Sequence, residues 1–140
     1  MIHETRLPPD IEARLTTLGA ALERCRGVVF AYLFGGAASG PIKPLSDVDV
    51  AVYLEEGVDL VEGRLEALGA VTEHLGTDEV DLVVLNTAPT ALTGRILQTR
   101  RVLLDRVPFR RHLFESRTLR QFFDFRILEH AILARRFGHG

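Results

Sequence analysis

The stretch YLFGGAASGPIKPLSDVDVAVYL, residues 32–54, constrains the fold of this chain more than any other part of its sequence. It contains the end of one apolar run, a glycine pair, a connection of about ten residues, and a second apolar run that opens with Asp-Val-Asp. Both apolar runs are rich in β-branched and aromatic residues and are bounded by glycine or polar residues. The sequence therefore predicts two buried strands, at 28–34 and 47–54.

Two aspartates open the second predicted strand. Side chains alternate between the two faces of a strand, so Asp47 and Asp49 are predicted to project side by side. The opposite face carries Val48, Val50, Val52 and Leu54. Neighbouring carboxylates repel each other, and their burial is costly without a compensating charge. Oxygen ligands at a strand edge suit Mg²⁺, which completes its shell with water and substrate phosphates.

A third carboxylate, Asp81, lies at the start of another predicted strand, VDLVVLN at 80–86. Three carboxylates on adjacent strands can hold two metal ions, one at the attacking oxygen and one at the phosphates. Asp47, Asp49 and Asp81 are therefore the predicted metal ligands. Each motif alone has an ordinary explanation, as a surface turn or a strand-end acid. Their combination on three strands favours a catalytic metal site.

The glycine pair is consistent with a phosphate-binding turn beside these carboxylates. Glycine permits positive φ and lets the backbone approach a ligand closely. A tight turn of N–H groups forms a concavity that binds phosphate oxygens. Gly35 and Gly36 are therefore predicted to hold phosphate, and Ser46 either adds a hydroxyl hydrogen bond or caps the turn.

The rest of the chain predicts an α+β fold in one domain, residues 1–140, with a small mixed sheet of about four strands flanked by helices. Helical spacing of apolar residues predicts a helix in 7–25 and a second one ending at Gly76. The second helix has its predicted apolar face at Val61, Leu65, Leu68, Val71 and Leu75. The strand at 80–86 is apolar on both faces apart from its aspartate and is expected to be central. A short helix within 88–99 and a fourth strand at 100–105 follow.

The tail from residue 108 to about 137 predicts one long helix, or two helices joined near Ser116. Its apolar residues spread over most of the circumference, which is typical of a helix buried on more than one side. The sheet covers one side, and a second chain is expected to cover the other. Residues 95–140 carry 11 arginines and 4 acidic groups, against 6 basic and 15 acidic groups in residues 1–94. This asymmetry indicates either an anionic partner or a solvated basic face.

Several features favour a cytoplasmic protein with no membrane partner. No apolar run approaches the length of a membrane span, and the N-terminus lacks the basic and apolar regions of a signal peptide. Cys25 is the only cysteine, so no internal disulfide can form, and it is predicted to be a small buried apolar residue.

In these motifs the sequence resembles the DNA polymerase β-like nucleotidyltransferase superfamily. FGGAASGPIKPLSDVDVAVYL and VDLVVLN reproduce its order of strand, glycine corner, Asp-x-Asp and third aspartate. Within the superfamily the chain looks most like the minimal nucleotidyltransferase (MNT) antitoxins, which pair with HEPN-domain toxins. The segments DLVVLNTAPTALTGRILQTRRVLLD and RRHLFESRTLRQFFDF extend the likeness, which covers roughly residues 28–126.

The resemblance implies a polymerase β-like fold and Mg²⁺-dependent transfer of AMP from ATP to a tyrosine of a HEPN ribonuclease toxin. It implies that Asp47 and Asp49 bind two metal ions, and that Asp81 completes the site and helps to deprotonate the acceptor hydroxyl. Gly35 and its neighbour would hold the triphosphate. The implied partners are ATP and the toxin in a hetero-oligomer, without sequence-specific nucleic-acid binding.

Two positions depart from the family pattern Gly-Ser-x-Ala-Arg-Gly. Gly36 replaces the serine, and Ser39 replaces the arginine that faces phosphate. A charge-assisted hydrogen bond to phosphate contributes about 1.5–3 kcal/mol, so its loss weakens binding roughly tenfold to a hundredfold. Lys43 in the same loop can partly substitute as a point charge, and Ser39 can donate a neutral bond.

Three functions remain open from the sequence. An active adenylyltransferase antitoxin accounts for the three aspartates. An antitoxin that acts by binding alone, with a weakened nucleotide site, accounts for Gly36 and Ser39. A small-molecule nucleotidyltransferase, such as one acting on aminoglycosides, is disfavoured because those proteins are longer two-domain chains. A template-directed polymerase is disfavoured for the same reason.

Overall fold

The computed structural model describes residues 6–44 and 46–137, apart from the side chain of residue 137. Its centre is a four-stranded sheet in the order β3-β2-β1-β4. The strands are β1 (Val28–Phe34), β2 (Val48–Leu54), β3 (Val80–Val84) and β4 (Arg101–Asp105). The central strand β1 is antiparallel to β2 and β4, whereas β2 and β3 are parallel, so the sheet is mixed. The predicted fold class is confirmed.

Six helices flank the sheet in the described part of the chain. They are α1 (Ile11–Thr16), α2 (Leu18–Glu23), α3 (Gly36–Ser39), α4 (Leu60–Leu75), α5 (Thr90–Thr99) and α6 (Pro108–Phe137). On one face of the sheet, the valines of β2 join a core with α1, α2 and α4, and Cys25 is buried beside it. On the other face, Phe30, Tyr32 and Ala51 pack with α5 and the first half of α6. The predicted alternation along β2 is therefore confirmed, and Asp49 belongs to the second face.

The helix α4 is confirmed, and its predicted apolar face is confirmed at Leu68, Val71 and Leu75 but wrong at Val61 and Leu65. Val61 and Leu65 are 69% and 58% exposed, and the buried positions include Gly63, Ala67 and Val71. A Cβ added to Gly63 would lie 2.7 Å from Cδ1 of Leu54. The first half of the helix thus lies so close to β2 that Gly63 faces the sheet there while Val61 and Leu65 point outward.

The expectation that the third strand is central is also wrong, because β3 is an edge strand. Its apolar residues are covered by the layers above and below: Leu82 belongs to the first core, and Val83 packs against the second. On its outer edge, Nε of Arg64 donates a hydrogen bond to the Leu82 carbonyl at 3.3 Å. A charged side chain at this position blunts the open edge against pairing with another chain.

The first predicted helix is divided into α1 and α2 at Thr17. The Thr17 hydroxyl donates to the Arg14 carbonyl and forms a 2.8 Å hydrogen bond with Nε2 of His74. After this break, α2 approaches β4 so closely that a Cβ on Gly19 would clash with the Leu103 carbonyl oxygen. On the two sides of the break, α1 packs against α4 and α2 packs on the sheet.

The C-terminal helix α6 is continuous over 30 residues, with no break at Ser116. Its first half is held by Glu115, which is 7% exposed. One carboxylate oxygen of Glu115 accepts hydrogen bonds from the Tyr32 hydroxyl at 2.7 Å, from Arg100 at 2.9 Å and from Arg111 at 3.0 Å. Beyond Phe122, every residue to position 136 is exposed.

No helix in the described ranges is long and apolar enough to cross a membrane.

Candidate functional site

The strand directions bring the predicted site residues to one edge of the sheet. Because β1 is antiparallel to β2, the glycine corner at the end of β1 lies beside the start of β2. Asp49 pairs with Phe34 of β1 on one side and with Asp81 of β3 on the other. Asp47 directly precedes β2 and is half-buried, whereas Asp81 is exposed. The register therefore places Asp49 between the glycine corner and the third carboxylate.

Gly35 contacts the site through its backbone. Its φ of 70° lies in the region that favours glycine. A Cβ at this position would lie 2.5 Å from Oδ2 of Asp49. Conformation and close approach therefore both require glycine here, and the corner lies directly against the carboxylate.

The electrostatic state of Asp49 reflects its neighbours. Burial, followed by the negative charges of Asp81 and Asp47, raises the pKa of Asp49 to about 6. Opposite charge nearby favours the ionised form of a carboxyl, and like charge disfavours it. A divalent cation between these groups would therefore relieve the repulsion.

The donor set fits Mg²⁺, which prefers carboxylate oxygens together with water and phosphate. Among residues 6–44 and 46–137, however, no three Asp, Glu, His or Cys side chains are already gathered at metal-binding geometry. Asp47, Asp49 and Asp81 would have to turn toward a common ion, and the exposure of Asp81 leaves it room to do so.

The glycine corner continues into the short helix α3. The Gly35 carbonyl accepts hydrogen bonds from the N–H groups of Ala38 and Ser39 and from the Ser39 hydroxyl, the last at 3.0 Å. The single hydroxyl proton of Ser39 is therefore engaged within the turn. Gly36 has open space around it, with no atom within 4 Å of a Cβ built at this position.

Lys43 and Ser46 lie in the loop that connects α3 to β2. Lys43 is exposed and Ser46 is half-buried. The loop is held at its N-terminal side by Glu12, whose carboxylate accepts a hydrogen bond from the Ile42 N–H at 2.9 Å. Both residues therefore lie close to Asp47 and Asp49 along the chain, in the loop that leads into β2.

One residue at this edge was missed by the sequence analysis. The N–H of Gly35 donates a hydrogen bond to Oγ1 of Thr99 at 3.0 Å. Thr99 is the last residue of α5 and is 64 positions away in sequence. Only the pairing of β4 with β1 brings it to the corner, so no local motif could have indicated it.

A glycine corner facing carboxylates at one edge of a small mixed sheet defines the nucleotidyltransferase class of domain. A family model described as "Polymerase beta, Nucleotidyltransferase" matches residues 17–108, about two thirds of the chain. The chain belongs to this family. No curated protein matches it.

Solved structures of toxin–antitoxin complexes contain similar chains. One is the complex of a tri-AMPylated Shewanella oneidensis HEPN toxin with MNT antitoxin (22% identity, 89% of this chain, 97% of that chain, TM-score 0.65). A second is the toxin–antitoxin MntA-HepT (23% identity, 89% and 97% covered, TM-score 0.64). A third is a toxin–antitoxin with AMP-PNP (26% identity, 89% and 96% covered, TM-score 0.67). The polymerase β-like fold expected from the sequence is confirmed.

Proposed function

We propose that this nucleotidyltransferase is an antitoxin that transfers AMP from ATP to a tyrosine hydroxyl of a cognate HEPN ribonuclease toxin in the cytoplasm. The observation that carries the proposal is the position of Asp49, between the Gly35 corner and Asp81. Similarity to a chain from a toxin–antitoxin complex with AMP-PNP supports ATP as the donor. Similarity to a chain from a complex with a tri-AMPylated HEPN toxin supports a protein acceptor.

The proposed roles follow from where the side chains lie. Asp47, Asp49 and Asp81 would hold Mg²⁺, two ions in all, which supply charge neutralisation at the phosphates. Gly35 and Gly36 let the triphosphate approach the backbone, and Ser39, Lys43 and Ser46 border the same turn. Nucleotidyl transfer depends mostly on positioning and electrostatic stabilisation, which these groups provide.

The reaction has a simple balance. The acceptor tyrosine oxygen forms a bond to the α-phosphorus, the bond between the α-phosphorus and the bridging oxygen breaks, and pyrophosphate leaves. The hydroxyl proton passes to a base near the acceptor. Asp81 is the carboxylate in this role, because it is exposed at the open side of the site.

The partner surface in this proposal is the C-terminal helical region, residues 108–137. Large apolar side chains are exposed along its second half: Phe123, Phe125, Ile127, Leu128, Ile132 and Leu133. An exposed helical segment of this length is marginally stable in water by itself. Contiguous exposed apolar surface of this kind marks an interaction site.

A second candidate is an antitoxin that neutralises its toxin by binding alone. The observation that favours it lies in the glycine corner, where Gly36 has no hydroxyl and the proton of Ser39 is donated to the Gly35 carbonyl. Both changes remove phosphate ligands. Neither explains why three carboxylates that repel one another occupy the same sheet edge.

The decisive experiment is a transfer assay. The protein, labelled ATP and Mg²⁺ are incubated with the toxin encoded by the adjacent gene, and label on the toxin is measured. Asp47→Asn combined with Asp49→Asn is expected to abolish labelling because the metal ligands are lost, while circular dichroism shows an unchanged fold. Glu73→Gln, at an exposed carboxylate on α4 outside the partner surface, is the matched control and is expected to label like wild type.

The assay separates the two candidates. Labelling that persists in the double variant would contradict the assignment of the carboxylates. A wild-type protein that leaves the toxin unlabelled, yet neutralises its ribonuclease activity, would establish the binding-only function instead.

A further inference from the structure

The hydrogen bond between Gly35 and Thr99 connects α5 to the glycine corner. The N–H of Gly35 is the donor and Oγ1 of Thr99 is the acceptor, at 3.0 Å. The same glycine lies against the carboxylate of Asp49. The Thr99 hydroxyl is therefore at the corner itself, and the threonine is exposed on the side open to solvent.

A threonine hydroxyl has one proton to donate and two lone pairs that accept. One lone pair of Thr99 is occupied by the Gly35 N–H, so the hydroxyl proton remains for another acceptor. Phosphate oxygens are strong acceptors, and a hydroxyl donor at this edge can bond to one while it continues to hold the glycine.

The corner needs such a donor. Gly36 provides no side chain, and the Ser39 hydroxyl donates its proton to the Gly35 carbonyl. The Gly35 N–H is also occupied, by Thr99 itself. Of the two hydroxyls that contact Gly35, only that of Thr99 therefore keeps its proton for a ligand.

We propose that Thr99 is a nucleotide-positioning residue, which fixes the Gly35 corner and donates its hydroxyl hydrogen bond to the triphosphate in place of the hydroxyl that Gly36 lacks. The proposal rests on the proposed nucleotidyl-transfer function. It deepens that function by assigning a phosphate ligand that comes from outside the glycine–aspartate motif.

The test uses direct binding of ATP with Mg²⁺, measured by calorimetry on the full chain. Thr99→Val keeps the shape of the side chain and removes the hydroxyl, so affinity is expected to fall roughly 10- to 100-fold, the range for one hydrogen bond to a charged acceptor. Thr99→Ser retains the hydroxyl and is expected to bind like wild type. Thr87→Val, an exposed threonine beyond the opposite end of β3, is the matched control.

A double-variant cycle gives the sharper result. Gly36→Ser restores a hydroxyl at the corner, and the space around Gly36 accommodates it. The Thr99 hydroxyl and a serine hydroxyl at position 36 are expected to bond to the same phosphate. Gly36→Ser is therefore expected to restore most of the ATP affinity that is lost in Thr99→Val. In the transfer assay, Thr99→Val is expected to raise the KM for ATP more than it lowers kcat.

A purely structural role has a different signature. Amide hydrogen exchange at Gly35 is expected to accelerate in Thr99→Val, because the acceptor is lost. Faster exchange with unchanged ATP affinity would overturn the proposal and leave Thr99 as a support for the turn. Failure of Gly36→Ser to restore binding would also overturn it.

Failure of the proposed transfer function can be distinguished from failure of the Thr99 proposal. A wild-type chain that binds ATP without labelling the toxin contradicts the transfer function, and Thr99 is then still judged by ATP affinity. A wild-type chain that binds no ATP overturns both proposals.

Discussion

At the scale of single residues, Asp49 shows a conflict between stability and function. Its carboxylate lies between Gly35 and Asp81, and burial and neighbouring charge raise its pKa to about 6. An ordinary aspartate has a pKa of about 3.9. The folded protein thus binds this proton more tightly than the unfolded chain does. Without a cation, ionisation of Asp49 therefore destabilises the fold.

The raised pKa of Asp49 determines how the stability of the metal-free protein depends on pH. As pH rises from about 4 through about 6, the folded state must release a proton that the unfolded state has already lost, so the stability contribution of Asp49 declines. Asp49→Asn has no ionisable carboxyl at this position, so the variant does not lose stability in this way. Above pH 6, in the presence of a chelator, the variant is expected to show a higher Tm than wild type in thermal denaturation.

The effect of Mg²⁺ on thermal stability is a second prediction for Asp49. Mg²⁺ is expected to raise the Tm of wild type at pH 7.5 and to have little effect on Asp49→Asn, since ligand binding to the folded state stabilises it. Asp124→Asn is the control and is expected to respond like wild type. An equal Mg²⁺ response in wild type and Asp49→Asn would contradict a role for this carboxylate in metal binding.

At the scale of elements, the buried carboxylate of Glu115 attaches α6 to the sheet. It connects β1, the end of α5 and α6 through Tyr32, Arg100 and Arg111. Burial acts to raise the pKa of Glu115, but the Tyr32 hydrogen bond and the two arginines outweigh it and lower the pKa. The same burial, together with the bond to Glu115, raises the pKa of Tyr32. Glu115 therefore stays ionised, and the ion network holds the first half of the helix.

Neutralising this carboxylate is expected to destabilise the protein. Glu115→Gln leaves Arg111 and Arg100 without their common anion, and removing one partner of a buried pair costs about 3 kcal/mol. Urea denaturation measures the loss. Glu129→Gln, an exposed glutamate on the same helix, is the matched control and is expected to change stability by less than about 0.5 kcal/mol. Similar losses in both variants would show that the network does not hold the helix.

At the scale of the whole molecule, α6 has two halves with different environments. The first half packs on the sheet through Phe114 and Leu119, whereas residues 123–136 are exposed throughout. The apolar residues of the second half lie on several sides of the helix, and the sheet, which contacts the first half, does not cover them. The second half therefore has the surface expected of a helix that completes its packing against another chain.

Exposure alone does not distinguish this surface, and α4 provides the comparison. Phe123 and Ile127 on α6 are 57% and 68% exposed, and Val61 and Leu65 on α4 are exposed to a similar degree. Phe123→Gln with Ile127→Gln is expected to weaken toxin binding at least tenfold in calorimetry, because the buried apolar contact is lost. Val61→Gln with Leu65→Gln is expected to leave it unchanged. Equal effects of the two pairs would contradict α6 as the partner surface.

Much of this arrangement could be predicted from the sequence, because it depends on short-range patterns. Alternation along β2 placed Asp49 opposite the valine face, and apolar periodicity with a terminal glycine located α4. The order of glycine corner, Asp-x-Asp and third aspartate identified the fold family. These features follow from the periods of strands and helices and from the conformational freedom of glycine.

Tertiary structure decided which faces and edges those elements use. The close approach of α4 to β2 turned Val61 and Leu65 outward, and strand pairing placed β3 at the edge of the sheet. Strand pairing also brought Thr99 against Gly35, across 64 residues of sequence. Local periodicity specifies an element and its amphipathic pattern. The distance between elements, and the contacts made across that distance, depend on packing of the whole chain.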